Sequence, residues 1–248
     1  MSRRRFFAPK EAFDNHSVSL AGDEARHLRD VLRLSVGDEA YVFNGDGQEF
    51  RCTVAELKRD FAVLKECQEV SPAKPESPLQ LTLAVALLKG DKFDLVVQKT
   101  TELGVTRIVP VITRYADIRL RDASDAKKRV DRWQRIALEA AKQSGRAKVP
   151  NISIPVTLES ILNEGTEADR IMFSEREGHS LQKAVASKKE WQPVVIVVGS
   201  EGGWSDEEIS AARDSGWTIV TLGGRVLRAE TAAITATILL QHELGDLR

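Results

Sequence analysis

The sequence contains little cysteine and almost no net charge. Only two of its 248 residues are cysteines, and 36 Lys and Arg balance 37 Asp and Glu to give a formal net charge of -1. Cys52 and Cys67 occur without a C-x-x-C spacing or a nearby histidine pair, which argues against a disulfide framework and against a zinc site. We therefore interpret both cysteines as structural, and we expect no metal in the functional site.

Long apolar runs are also missing. No uncharged apolar run approaches the roughly 18–20 residues that cross a bilayer, which excludes a transmembrane helix. The first residues, Met1 to Phe7, are basic but lack the apolar core and the small-residue cleavage site of a secretory signal. These absences predict a cytoplasmic protein with no membrane contact. A hydrophobic fraction of 42% with 29% charged residues is typical of an ordinary globular protein.

The balanced charge means that any RNA-binding surface must be local, because neutralising phosphates requires a cationic excess. The best candidate is the segment with Arg26, Arg29 and Arg33, whose spacing places them on one face of a predicted helix. Acidic residues such as Asp23 and Asp30 lie among them. On spacing alone, a solvated helix face is therefore the preferred interpretation.

A proline-rich segment, 71–78, divides the chain. It holds three of the eight prolines, and proline favours an extended connector. The segment predicts two domains, over residues 1–72 and 73–248. In the first domain, alternating stretches at 39–43 and 49–57 flank an Asn-Gly turn, which predicts a β-hairpin within a small β-rich barrel or sheet.

The periodicity changes after the connector. Apolar runs such as 79–88 and 194–198 are typical of strands that are buried on both faces. Helical patterns alternate with them, and the last one, from Ala229 to Leu244, is apolar on several sides. Strands that alternate with helices predict an α/β domain with a mostly parallel sheet.

Two glycine-rich, charged loops follow predicted strands, at 199–203 and 223–231. Ligands of parallel α/β sheets bind beyond the carboxyl ends of the strands, and glycine lets the backbone approach them closely. The two loops together therefore predict a ligand site. Neither has the glycine spacing of a dinucleotide-binding or a P-loop motif, and no G-x-S-x-G nucleophile elbow occurs.

The stretches 199–205 and 222–232 resemble the 16S ribosomal RNA (uracil-N3)-methyltransferases, a family of the SPOUT class of S-adenosylmethionine (SAM) enzymes. Further blocks of the resemblance lie at 27–34, 89–92, 98–105 and 139–146, so it spans nearly the whole chain in order. The family usually has proline where this chain has Ser200 and Gly224.

The resemblance implies a SPOUT-type sheet with a C-terminal trefoil knot and an N-terminal PUA-like β-barrel. It also implies a homodimer that methylates N3 of a uridine, with 16S rRNA or the assembled small subunit as the partner. For the first domain it favours RNA binding by Arg26, Arg29 and Arg33. The final helix, through residues such as Ile234, Ile238, Leu239 and Leu240, is expected to contribute to the dimer interface.

The chemistry assigns roles within the two loops. N3 must lose its proton before it attacks a methyl group, so the site must stabilise negative charge on N3 and its flanking carbonyl oxygens. Arg228 is the candidate for that charge, and Glu201 and Glu230 are candidates for base or orienter. Glu230 can equally be a first-turn carboxylate that is favoured by the helix dipole. The predicted cofactor-binding residues are Leu88, Gly199, Gly202, Leu222, Leu227 and Thr231.

Two other functions are compatible with the sequence. One is a SPOUT methyltransferase that modifies a ribose 2′-hydroxyl or another base in ribosomal or transfer RNA. The other is a protein that binds an RNA element without chemistry, and binding of the cofactor distinguishes it from an enzyme.

Overall fold

The computed structural model describes residues 3–116, 118, 120–165, 167–186 and 192–247. The chain forms two compact units. The first contains residues 1–76 and 138–149, and the second contains residues 77–137 and 150–248. The return of residues 138–149 to the N-terminal unit has no counterpart in the sequence patterns.

The N-terminal unit is built on a six-stranded sheet in the order β1-β4-β5-β6-β3-β2. Strand β1 pairs in parallel with β4, and the other pairs are antiparallel. The predicted hairpin is confirmed, since β4 and β5 pair across the turn at 44–47. The strands are β1 (Arg5–Phe7), β2 (Phe13–Asp14), β3 (Ser17–Ala21), β4 (Glu39–Phe43), β5 (Glu49–Leu57) and β6 (Phe61–Val70), and helix α1 (Asp23–Arg26) continues into a π-helical turn (His27–Val31).

Cys52 and Cys67 form a disulfide between β5 and β6, so the argument against a disulfide is wrong. The ladder shifts register between Arg51 and Thr53, and Glu66 adopts a left-handed φ of 56°. This irregularity brings the two Cα atoms to 4.2 Å. Both cysteines are buried in the hydrophobic core of the unit. Spacing along the chain could not reveal the pair, because it depends on how two strands align.

Loss of this disulfide is expected to destabilise the N-terminal unit. A cross-link that closes a loop of 15 residues contributes about 3 kcal/mol by restricting the unfolded chain. Urea unfolding with and without a reductant should show a difference of this size. The double variant Cys52→Ser/Cys67→Ser is the control, and its stability should not respond to the reductant. Equal stability of the wild type in both conditions would contradict a formed disulfide.

The second unit contains an eight-stranded sheet in which every pairing between named strands is parallel. This confirms the predicted α/β class. Its strands are β7 (Leu81–Ala86), β8 (Arg107–Ile112), β9 (Asn151–Ile152), β10 (Val156–Thr157), β11 (Asp169–Phe173), β12 (His179–Ser180), β13 (Val194–Val198) and β14 (Thr218–Thr221). Its helices are α2 (Lys92–Glu102), α3 (Ala123–Ser144, which continues into the first unit), α4 (Leu158–Leu162), α5 (Leu181–Ala186), α6 (Asp206–Asp214) and α7 (Ala229–Leu244).

The strand order is β10-β8-β7-β13-β11-β14-β12, with β9 beside β8. Strands β7 and β13 are apolar along almost their entire length, and nearly all of their residues are buried, as is typical of parallel strands covered on both faces. Helix α6 begins at a capping box, in which Ser205 and Glu208 exchange hydrogen bonds with each other's backbone N–H. The order places β13, β11 and β14 side by side, so their carboxyl ends share one edge. Within the described residues, no helix is long and apolar enough to cross a membrane.

Candidate functional site

A cavity opens at the carboxyl ends of β11, β13 and β14. Each of these strands is followed by a loop that contributes to the wall, and the first turn of α7 closes one side. The wall combines apolar side chains with exposed backbone. It is lined by Phe173, Ser174, Glu175, Val198, Gly199, Ser200, Thr221, Leu222, Gly223, Arg225, Leu227, Ala229 and Ala232.

The loop after β13 is held against β11 by a buried tryptophan. Trp204 is 2% exposed, and its indole Nε1 donates to the carbonyl of Phe173 at 2.7 Å. The backbone of Gly199 lies against the same ring, where a Cβ atom would be 3.1 Å from Trp204. Gly203 has a φ of 69° and donates to the carbonyl of Ser200 at 3.0 Å, which closes a tight turn. Two glycines are therefore required by the geometry of this loop.

The loop after β14 is more exposed and carries two arginines. Gly223 adopts a φ of 111°, and Arg225 and Arg228 are both exposed. Arg228 is the residue that precedes the first turn of α7, and its side chain forms no capping hydrogen bond. A guanidinium at this position is free of the helix backbone and can reach a ligand.

A cluster of charges lies beside the cavity. Lys92, at the start of α2, donates a hydrogen bond to Glu201, and its Nζ is 3.9 Å from Oε2 of Glu230. The hydrogen bond to Glu201 raises the pKa of Lys92, the charge of Glu230 raises it further, and the positive charge of Arg228 opposes them. The cluster therefore joins the two candidate carboxylates through one ammonium group.

Glu230 is the buried member of this cluster. The residue is 9% exposed, and Oε2 is buried with no hydrogen-bond partner among the described residues. A buried carboxylate oxygen without a hydrogen bond is costly, and the ion pair with Lys92, at 3.9 Å, offsets part of that cost. Glu201, with a side chain 33% exposed, remains accessible to solvent.

The predicted cofactor residues divide into two groups. Gly199, Leu222 and Leu227 line the cavity. Leu88 is buried, Thr231 is exposed on the first turn of α7, and Gly202 packs against Tyr115, whose Cβ is 2.7 Å from the position of an added Cβ. These three lie outside the cavity wall, and their contact with a cofactor stays a prediction. The predicted catalytic residues Arg228 and Glu230 flank Ala229, which does line the cavity.

Sequence reasoning missed the contribution of β11. Phe173, Ser174 and Glu175 form one side of the wall. The signal in the sequence was a third apolar strand, β11, followed directly by polar residues. Its place between β13 and β14 depends on the strand order of the sheet, which the sequence does not reveal. Lys92 was also not predicted as a site residue, although it lies just after the apolar run 79–88, as Ser174 and Glu175 lie just after β11.

The three arginines proposed for RNA binding do not share one helical face. Helix α1 ends at Arg26, a π-helical turn follows, and Arg33 lies beyond it with a left-handed φ of 51°. The expected spacing fails because the helix stops two residues before Arg33. Arg26 is hydrogen-bonded to Asp23, and Arg29 to Asp30 at 2.7 Å. The bond from Arg29 lowers the pKa of Asp30. RNA binding by these residues stays a prediction.

Within the described ranges, no group of three or more His, Cys, Asp or Glu side chains is placed to hold a metal ion. Beside the cavity, Lys92 forms ion pairs with Glu201 and Glu230. These carboxylates and cations can orient a ligand, transfer a proton or stabilise negative charge.

Two family profiles match the chain. The profile described as an RNA methyltransferase domain matches residues 75–241, which contain the cavity and the charge cluster. The profile described as an RNA methyltransferase PUA domain matches residues 20–67, within the N-terminal unit.

Individual relatives agree with the profiles. A ribosomal RNA small subunit methyltransferase E from Rickettsia conorii is 31% identical over 95% of this chain and 94% of its own length. A crystal structure of the enzyme of that name from Neisseria gonorrhoeae, bound to SAM, has a TM-score of 0.86 at 31% identity, with 100% of both chains covered. A methyltransferase structure from Legionella pneumophila with bound SAM has a TM-score of 0.87 at 32% identity, again over 100% of both chains. The resemblance seen in the loops is confirmed, and the chain belongs to the ribosomal RNA small subunit methyltransferase E family.

Proposed function

We propose that this protein transfers a methyl group from SAM to N3 of a uridine in 16S rRNA, acting on the RNA or on the assembled small subunit. The observation that carries the proposal is the cavity at three adjacent strand ends, with Arg228 and Glu230 directly beside it. Membership of the methyltransferase E family supports both the reaction and the substrate class.

The residues of the cavity fit SAM. Phe173, Leu222 and Leu227 provide apolar surface for an adenine ring, and the loop backbone provides hydrogen-bonding groups. Ser200 Oγ is buried without a hydrogen-bond partner among the described residues, so it is available to a polar group of a ligand. Glu175 and Arg225 carry the charges that would pair with the amino and carboxylate groups of the methionine part. When bound, SAM supplies an electrophilic methyl group on a sulfonium.

The chain itself must prepare N3. A carboxylate within reach, Glu230 or Glu201, accepts the N3 proton or orients the ring. Arg228 stabilises the negative charge that then spreads over N3 and the flanking carbonyl oxygens. Lys92 holds the two carboxylates in one cluster, which fixes their positions before the substrate arrives.

The product identifies the reaction. Purified protein would be incubated with SAM and 16S rRNA, and separately with small subunits, from a strain that lacks the endogenous modification. Mass spectrometry of the digested nucleosides should then show 3-methyluridine. A 2′-O-methylated nucleoside or another methylated base would contradict the assignment to N3. Absence of any methylated product, together with absence of SAM binding, would favour the RNA-binding protein without chemistry.

Binding of S-adenosylhomocysteine should stabilise the protein against heat. A ligand that binds only the folded state adds roughly 2.7 kcal/mol of stability at a hundredfold excess over Kd. Thermal unfolding over a ligand titration measures the effect, and adenosine alone serves as the weaker control. An unchanged midpoint at millimolar ligand would contradict a cofactor site.

Gly199→Ala should weaken cofactor binding, because the new Cβ would lie 3.1 Å from the buried ring of Trp204. The ring is anchored by its hydrogen bond to Phe173, so the loop must shift instead. Overpacking of this kind costs about 1–3 kcal/mol, which corresponds to a rise in Kd of about 5- to 150-fold if the whole cost falls on cofactor binding. Gly224→Ala is the matched control, since nothing lies within 4 Å of its added Cβ. Calorimetry showing equal Kd values for both variants would contradict this account.

We further propose a cytoplasmic homodimer with the knotted topology expected from the resemblance. Helix α7 buries Leu240, whereas Ile238 is 41% exposed and Ile234 and Leu239 are only partly covered. These side chains form an apolar face that a second copy would cover. Light scattering at micromolar concentration should give a dimer mass, and a monomer mass would contradict the proposal.

A further inference from the structure

A second cleft is formed entirely by residues of the N-terminal unit. It has a volume of about 880 Å³ and lies where β1 meets the end of α3 and the proline-rich segment. Six of its lining residues are basic or imidazole side chains, against one carboxylate, Glu139. They are Arg3, Arg4, Arg5, His27, Lys74 and Lys142.

A buried carboxylate fixes the arginine side of the cleft. Glu49 is fully buried and accepts hydrogen bonds from Arg3 at 2.9 Å and from Arg5 at 3.2 and 3.1 Å. It also accepts from the backbone N–H of Ala73 at 3.0 Å. One carboxylate therefore serves two guanidinium groups, which leaves this wall with excess positive charge. Glu49 accepts four hydrogen bonds in all, three of them at Oε2, and these bonds fix the arrangement.

The opposite wall is fixed in a similar way. Arg5 donates to the carbonyls of Lys142 at 3.2 Å and Arg146 at 2.9 Å, so it caps the carbonyl end of α3. Lys142 pairs with Glu24 at 2.7 Å. The side chains of Arg5 and Lys142 are largely buried and already paired with carboxylates, so they form part of the cleft wall and are not free to bind a ligand.

Arg4 and Lys74 differ from these cations. Both are exposed, and within the described part of the chain neither makes an ion pair or a side-chain hydrogen bond. The backbone of Arg4 is held in the sheet, since its carbonyl accepts from the N–H of Tyr41 at 2.9 Å. The stem of Lys74 lies over Gly145, whose added Cβ would be 3.0 Å from Cγ. These two cations are positioned by the fold and available to an anion.

The segment from Arg26 to Arg33 offers a less favourable surface. Its first two arginines are hydrogen-bonded to Asp23 and Asp30, and a phosphate would have to displace those carboxylates. Displacement of an ion pair offsets much of the gain from a new one.

We propose that the cleft binds the sugar-phosphate backbone of the substrate RNA, with Arg4 and Lys74 as the phosphate contacts. The inference rests on the proposed function, which makes 16S rRNA the ligand of this unit. Phosphate contacts carry no base information, so Arg4 and Lys74 set the position of the RNA and not the choice of the base.

The test compares three variants by fluorescence anisotropy with a labelled 16S rRNA fragment over a range of salt concentrations. Arg4→Ala/Lys74→Ala should lower the slope of log K against log salt by roughly 1.4 to 1.8, because two phosphate contacts are lost. Its affinity at low salt should fall about tenfold on the same grounds. Lys10→Ala/Lys65→Ala removes the same charge from exposed positions of the unit outside the cleft and should change neither value. Arg4→Lys should retain the slope of the wild type.

Parallel measurements separate this proposal from the proposed function. Affinity for S-adenosylhomocysteine should be unchanged in Arg4→Ala/Lys74→Ala, whereas the RNA concentration that gives half-maximal yield of 3-methyluridine should rise about tenfold. If the wild type methylates 16S rRNA but Arg4→Ala/Lys74→Ala keeps the full salt slope, the RNA does not bind in the cleft, and the proposed function still stands. If Arg26→Ala/Arg29→Ala/Arg33→Ala lowers the salt slope instead, the RNA backbone binds at the segment from Arg26 to Arg33. A wild type that neither binds nor methylates the RNA would overturn both.

Discussion

Arg228→Ala is expected to lower the single-turnover rate of methyl transfer by about a hundred- to a thousandfold, while RNA affinity stays nearly unchanged. Loss of one preorganised donor to a developing negative charge has an effect of this size. The side chain is exposed beside the cavity and forms no cap for α7, so its removal should not disturb the fold. Rapid-quench measurement with enzyme in excess gives the rate, and anisotropy gives the affinity.

Arg213→Ala provides the matched control, since it removes an exposed arginine of the same unit that is paired with Glu177 on the surface. It should methylate at the rate of the wild type. Arg228→Lys should recover only part of the rate, because an ammonium cannot reproduce the planar donor pair of a guanidinium. If Arg228→Ala instead binds RNA weakly and methylates normally at saturating RNA, the residue acts in docking.

Glu230→Gln is expected to reduce the same rate by about a hundred- to ten-thousandfold if this carboxylate accepts the N3 proton, which is the range for general base catalysis. Burial of Glu230 beside the cavity, where Oε2 accepts no hydrogen bond from a described residue and Lys92 lies 3.9 Å away, favours it over the more accessible Glu201. The rate of the variant should rise steadily with pH, because deprotonation of N3 then depends on the solvent. The pH dependence separates this role from a purely structural one.

Glu201→Gln tests the alternative carboxylate. It breaks the ion pair with Lys92 but leaves Lys92 and Glu230 in place, so it should cost far less than Glu230→Gln. A double-mutant cycle between Lys92 and Glu201 measures how much their contact contributes to positioning. If Glu230→Gln keeps a rate within a few fold of the wild type and the same pH profile, Glu230 has no catalytic role and only stabilises the helix dipole of α7.

Local patterns predicted most elements of the fold. The alternating stretches became β4 and β5, and the apolar runs became β7 and β13. The capping box of Ser205 and Glu208 that begins α6 is likewise formed by residues close together in the sequence. These features depend on residues close together in sequence, where side-chain periodicity and capping chemistry are decisive. The two glycine-rich loops likewise lie at the cavity, because a buried strand followed by glycine is a local pattern.

The sequence patterns did not predict features that depend on contacts between residues far apart in the chain. Cys52 meets Cys67 through a register shift, Phe173 enters the cavity wall through strand order, and residues 138–149 return to the N-terminal unit. The π-helical turn before Arg33 was also not predicted, since its sequence is compatible with a longer α-helix. Pairing between elements is governed by the whole sheet and not by any one segment, so single-sequence patterns constrain it weakly.

The central pairing of β7 with β13 determines when the methyltransferase unit can fold during synthesis. More than 100 residues separate the end of β7 from the start of β13. At about 5–20 residues per second, the ribosome needs roughly 5 to 20 s to supply the partner strand. Over that interval one edge of an almost wholly apolar strand has no neighbour, which exposes it to association with other nascent chains. Expression yield should therefore depend on translation speed and chaperone supply through β7, independently of the stability of the finished protein.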